Sequence, residues 1–193
     1  TPASVKKLNV GEFEGDIFGN YLHLVHYVDD AFGKLVDRLK QEGLWDNTIV
    51  VFYGDHDDSI NTVDNLSKLL GRPVSELELD KINNQVPLLM HLPDGKVKLD
   101  ERPAGQIDIA PTILDLLGIS YENKFMMGDS LFKEDRLPVM LRHLSYSDDQ
   151  LTYYAREWNF AKGTCVATPT GQQLPVDSCK QVYLDTNHTL QVS

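Results

Sequence analysis

The 193-residue chain lacks several features, and each absence excludes something. No stretch approaches the ~18–20 consecutive apolar residues of a membrane-spanning helix. Basic residues are scarce: 18 Lys and Arg against 29 Asp and Glu leave a formal net charge of -11. A nucleic-acid binder needs a basic face for the phosphate backbone, so that class is excluded. The acidic residues are scattered instead of gathered into a tail, a pattern of solubility. There is no internal repeat and no low-complexity tract. No targeting segment is visible, but the chain starts at Thr1, so this says little about a parent protein. Cysteine is nearly absent, with only Cys165 and Cys179. Their surroundings, rich in Thr, Gly, Gln and Pro, suit a bridged hairpin in an oxidising compartment, worth up to ~3 kcal/mol by chain entropy. Two unpaired thiols are the alternative.

What is present reads as one α/β domain of ordinary composition, 41% hydrophobic and 24% charged. From Asp16 to about Gln41, Phe18, Tyr21, Leu22, Val25, Val28, Phe32, Leu35, Val36 and Leu39 recur at helical spacing, and Gly43 is a C-cap candidate. The run Ile49–Tyr53 is short, apolar and β-branched, which predicts a strand covered on both faces. Helices are expected over 60–71, closed by Gly71, around 75–82, and over 109–117, ended by Gly118. A second strand is expected from Val86 to Leu92, with Pro87 near its start marking an edge or entry position. From Leu137 onward, short runs (Pro138–Leu141, Leu151–Ala155, Val182–Leu184) alternate with turns and predict a small antiparallel appendage.

The chemistry concentrates at Tyr53-Gly54-Asp55-His56. A carboxylate and an imidazole just past a strand can turn toward one point, and mixed oxygen and nitrogen donors suit a divalent ion such as Mn²⁺ or Zn²⁺. Gly54 allows a sharp exit, and ligands of open α/β sheets gather at that end of the strands. Other residues read as structural. His23 points away from the helix stripe and His26 borders it. Asp29 falls on the stripe, where its carboxylate needs a buried partner. Asp108 is placed to cap the helix that follows, with Pro111 in its first turn. His91 ends the second strand as a satisfied structural histidine. Asn187-His188-Thr189 matches a glycosylation acceptor.

Taken in order, several segments resemble the alkaline-phosphatase/sulfatase superfamily, and more closely its lipoteichoic acid synthase branch. They are Tyr27-Val28-Asp29-Asp30, Gly43-Leu44-Trp45-Asp46-Asn47-Thr48, Tyr53-Gly54-Asp55-His56, Val86-Pro87-Leu88-Leu89, Gly105-Gln106-Ile107-Asp108 and Met127-Gly128-Asp129-Ser130. The resemblance covers roughly residues 16–135. It implies the C-terminal portion of a three-layer α/β/α alkaline-phosphatase-like fold (1–136), with residues 137–193 as a small β-rich subdomain. It also implies a membrane-anchored parent whose catalytic domain lies outside a bacterial cell, or is released there, and transfers phosphoglycerol from a lipid head group. Asp55 and His56 fall on the family's C-terminal pair of metal ligands, with Mn²⁺ implied and Mg²⁺, Zn²⁺ or Ca²⁺ as alternatives. Asp57, Asp29 and Asp108 are candidates for supporting that pair. No catalytic residue is expected within 1–193: the Thr nucleophile and a further Glu ligand belong to an upstream half of the same domain. After His56 the family's pattern gives way to Asp57-Asp58, which leaves substrate preference open. The alternatives are a sulfatase or phosphatase, a phosphoethanolamine transferase, and a non-catalytic binding module.

Overall fold

The computed structural model describes residues 7–56, 60–83, 85–121, 126–141 and 144–185. The chain divides into two units, Thr1–Lys98 and Leu99–Ser193. That division precedes the change of sequence texture at 137.

In the first unit, helix α1 runs Ile17–Gln41. The Asp16 carboxylate starts it by accepting from the Gly19 amide at 2.6 Å, satisfying one of the orphan first-turn donors. Gly43, at φ 68°, follows its end. Phe18 is 1% exposed and packs edge-on to Phe13 at 5.0 Å, forming with Val10 a small core against Tyr21, Leu22 and Ile60. Further along, Phe32 meets Phe52 of strand β1 (Val50–Tyr53) at 4.6 Å, which lays the helix on one face of that strand. Two short helices follow, α2 (Val63–Leu70) and α3 (Glu76–Asn83). The Thr62 hydroxyl caps the first, and Gly71 closes it at φ 65°.

Strand β2 (Leu88–His91) pairs antiparallel with β1, in register Val50↔His91 through Tyr53↔Leu88. The expectation of a strand covered on both faces is not met. Val50, Val51 and Phe52 are half-buried and Tyr53 is exposed: α1 reaches one face through Phe32, and β2 is the only strand beside β1 among the described residues. Nor is Asp29 buried: it lies exposed on α1. The apolar residues of α1 occupy about half of its circumference, and the side that packs carries Phe18, Phe32 and Leu39, with Asp29 at its border. His23, expected to stand away, is half-buried and sits 3.3 Å from Glu14. His91 behaves as expected, with Nε2 at 3.0 Å from the Trp45 carbonyl and its ring stacked on Trp45 at 3.6 Å.

The second unit opens with a tight turn at Gln106–Asp108 and helix α4 (Ile109–Leu116), followed by Gly118 at φ 66°. The Thr112 hydroxyl, fully buried, donates to the Asp108 carbonyl at 2.5 Å and accepts from the Leu131 amide at 2.9 Å. This draws the Gly128–Leu131 segment onto the helix. Arg102 reinforces it by donating to the carbonyls of Leu131 and Lys133.

Beyond it lies the expected antiparallel appendage, a five-stranded sheet in the order β3-β4-β5-β6-β7. Its strands are β3 (Val139–Met140), β4 (Tyr146–Ser147), β5 (Leu151–Arg156), β6 (Asn159–Ala167) and β7 (Gln173–Leu174). Tyr146 and Tyr153 are 0% exposed, and Gly163 leaves room for the Tyr153 ring, which a Cβ there would meet at 2.3 Å. The Cys165–Cys179 disulfide is formed, as expected, between β6 and the turn at Val176–Cys179. Val182–Leu184 corrects the sequence reading: the backbone there is helical, continuing from Lys180 to Asp185. Three apolar residues can face inward from either conformation, and Tyr183 packs against Phe160 and Tyr153 from a helix.

Candidate functional site

Strand β1 delivers Asp55 and His56 to its C-terminal end, where the backbone bends directly after Gly54. Both side chains are open to solvent, 86% and 68% exposed, and His56 Nε2 lies 3.8 Å from Asp55 Oδ1. Metal–ligand bonds of about 2.0–2.2 Å put two donors on one tetrahedral ion roughly 3.4 Å apart. The pair therefore lies within a few tenths of an ångström of sharing an ion, and its oxygen and nitrogen donors suit a divalent one. Among the described residues, no three His, Cys, Asp or Glu side chains converge to close such a site. The pair fits as half of one.

Gly54 holds this turn by a means the sequence did not disclose. Its φ is not positive, so freedom of backbone conformation is not what it supplies. It supplies space: a Cβ there would stand 2.9 Å from Val86 Cβ. Its amide donates to the Pro87 carbonyl at 3.0 Å. The backbone just before Asp55 and His56 is thereby fastened to the entry of β2. The only signal in the sequence was the pairing of a strand-exit glycine with a second strand that opens on Val-Pro.

The remaining candidates separate. Asp57 lies outside the described residues. Asp29 is exposed on α1. Asp108 is 6% exposed, and both its oxygens are used within the second unit, accepting from the Gly105 amide at 2.8 Å and the Asp129 amide at 2.9 Å. It caps the turn before α4, not the first amides of α4 itself. The Asp108 carbonyl, and not its carboxylate, serves the helix. Asn187-His188-Thr189 also lies outside the described residues.

Asp129 sits beside this network. Burial works to raise its pKa, but the Lys133 ammonium at 2.6 Å and the Leu137 amide outweigh that and hold the carboxyl below its ordinary value. A cleft of about 240 Å³ in the same unit is lined by Glu134, Asp135, Asp148 and Asp149 around a single guanidinium, Arg136. Its charge is opposed to a phosphate or sulfate ester.

A strand pair under a helix, with a carboxylate–imidazole pair just past the exit of β1, marks an α/β unit. Comparison with known proteins makes this specific: the sulfatase family model matches residues 3–119, and the chain belongs to that family. Its relatives are lipoteichoic acid synthases. The chain is 29% identical over 197 residues to the lipoteichoic acid synthase-like YvgJ of Bacillus subtilis, covering 95% of this chain and 30% of that protein. It is 34% identical over 134 residues to the lipoteichoic acid synthase of Staphylococcus saprophyticus, covering 69% of this chain and 20% of the relative. The crystal structure of the lipoteichoic acid synthase LtaP from Listeria monocytogenes superposes with a TM-score of 0.68 at 24% identity. That match covers 96% of this chain and 49% of the LtaP chain. The fold is accordingly the alkaline-phosphatase-like α/β fold with a small antiparallel sheet. The chain spans between a fifth and a third of the length of these curated relatives. No described helix is long and apolar enough to cross a membrane.

Proposed function

We propose that this chain carries the Asp55–His56 half of the metal site of an extracellular phosphoglycerol transferase of the lipoteichoic acid synthase type. The observation that supports the reading is the placement of this pair at the exit of β1, in a chain similar along 95% of its length to a lipoteichoic acid synthase-like protein. Asp55 offers a carboxylate oxygen and His56 an imidazole nitrogen, and the bond from the Gly54 amide to the Pro87 carbonyl holds the backbone just before them. A divalent ion held there, manganese on the family resemblance, would supply Lewis-acid stabilisation of charge on a phosphoryl group and lower the pKa of an attacking hydroxyl. The nucleophile and the remaining ligands come from a preceding half of the same domain, which is the partner the pair requires. The substrate is a phosphate ester of a lipid head group, at the outer face of a bacterial membrane, reached through the parent protein.

One observation favours a second reading. The matching family model is that of the sulfatases, whose name denotes ester hydrolysis. In the protein that includes the nucleophile, incubation with phosphatidylglycerol separates the two: diacylglycerol and glycerophosphate polymer mark transfer, and free glycerophosphate without polymer marks hydrolysis. Asp55→Ala and His56→Ala should each lower turnover at least a hundredfold, with added Mn²⁺ restoring part of it. Full activity in either variant would sink the assignment of the pair.

A further inference from the structure

The β1–β2 ladder ends one residue before the candidate site, and two residues of the chain entering β2 end it. The register that matches Tyr53 with Leu88 next sets Gly54 opposite Pro87. There the Gly54 amide donates to the Pro87 carbonyl at 3.0 Å. In a hydrogen-bonded antiparallel pair the two residues normally exchange a bond in each direction. Proline has no amide hydrogen, so the return bond from residue 87 cannot form. The pairing stops on a single bond, and the backbone bends at the next residue, Asp55.

Val86 adds a steric stop. A Cβ on Gly54 would lie 2.9 Å from Val86 Cβ, 3.2 Å from Val86 Cγ1 and 3.4 Å from Pro87 Cδ. A Cβ is fixed to its backbone, so no change of rotamer relieves the shortest of these contacts. The two chain segments approach this closely only because residue 54 is glycine. The matched pairs Val50↔His91 through Tyr53↔Leu88 all precede this point. Val86 and Pro87 therefore act on the exit of β1 and not on its body.

From these contacts we infer that Val86 and Pro87 are positioning residues for Asp55 and His56. They fix where the chain leaves β1, and through that the affinity of the two donors for a divalent ion. The inference rests on the functional reading above, because it takes Asp55 and His56 as ligands.

The test is Mn²⁺ affinity by isothermal titration calorimetry in the protein that includes the nucleophile. Gly54→Ala drives a Cβ into Val86 and should weaken binding by roughly tenfold or more, the usual effect of losing the support behind a ligand. Adding Val86→Gly removes both Val86 atoms nearest that Cβ and should recover most of the lost affinity, because residues in contact do not add. Pro87→Ala restores an amide opposite the Gly54 carbonyl, lets the ladder run on, and should weaken binding with no clash at all. It keeps the question open to measurement if Gly54→Ala does not fold. Unchanged affinity in both Gly54→Ala and Pro87→Ala would overturn the inference. So would a Gly54→Ala/Val86→Gly protein that binds no tighter than Gly54→Ala, which would mean a general loosening of the unit. Asp55→Ala and His56→Ala should each remove most of the Mn²⁺ binding. If they bind as the parent does, the functional reading fails, whatever residues 54, 86 and 87 do. If they lose binding while the Gly54 and Pro87 variants keep it, the inference alone fails.

Discussion

Breaking the Cys165–Cys179 bridge should cost the second unit more than any other single change to its sheet. The bridge closes a loop of 14 residues' separation. In the chain-entropy model, a loop of about 15 residues restricts the unfolded ensemble by about 3 kcal/mol. For a domain of 60–100 residues, each kcal/mol moves Tm by roughly 4–8 °C, so reduction should lower it by about 12–24 °C. Both sulfurs are enclosed, Cys165 at 1% and Cys179 at 0% exposure. The Cys179 carbonyl also accepts the Tyr146 hydroxyl at 2.7 Å, so losing the bridge loosens the tyrosine cluster as well. Thermal unfolding followed by near-UV circular dichroism would report on Tyr146, Tyr153 and Tyr183, which pack within 6 Å of one another through Tyr153. The comparison is between native protein, protein under dithiothreitol, and the Cys165→Ala/Cys179→Ala double variant. A shift under about 3 °C in both reduced forms would refute the reasoning. It would mean that the packing of β6 already restricts the chain as much as the bridge does.

Two further outcomes are expected. The β5–β6 hairpin turns through Glu157 and Trp158 with φ of 52° and 56°, a conformation that side chains with a Cβ adopt at a cost, so replacing the two by Asn-Gly should stabilise the unit by about 1 kcal/mol in urea unfolding. The folded Asp129 carboxyl is held below its ordinary value, so its contribution is present above pH ~4 and is lost as pH falls through the folded pKa. Asp129→Asn should therefore flatten the decline in urea midpoint between pH 5 and pH 3.

The parts legible in the sequence share a physical trait: the signal was local. Helix α1 showed in its period and in Gly43, α2 and α4 in theirs with Gly71 and Gly118, and β1 in a β-branched run ended by glycine. Strands β4, β6 and β7 were missed. Tyr146–Ser147 and Gln173–Leu174 are too short for alternation to register, and β6 carries Gly163 for the sake of the Tyr153 ring on the neighbouring strand. That requirement is invisible without the partner. Asp29 was misplaced because it stands at the border of the apolar arc of α1, and a helical wheel does not say how far the packed face extends. At the candidate site, the place of Asp55 and His56 just past the exit of β1 was legible, while the anchoring of Gly54 to Val86 and Pro87 was not, since it joins segments distant in sequence.

That anchoring separates two things that usually change together. Residues 54–87 leave the sheet at one point and return to it beside that point, with α2 and α3 carried on the excursion. Asp55 and His56 take their position from the closed neck of this excursion, where the Gly54 amide meets the Pro87 carbonyl. Lengthening, shortening or recharging the body would then alter the surroundings of Asp55 and His56 while the neck that holds them stays where it is.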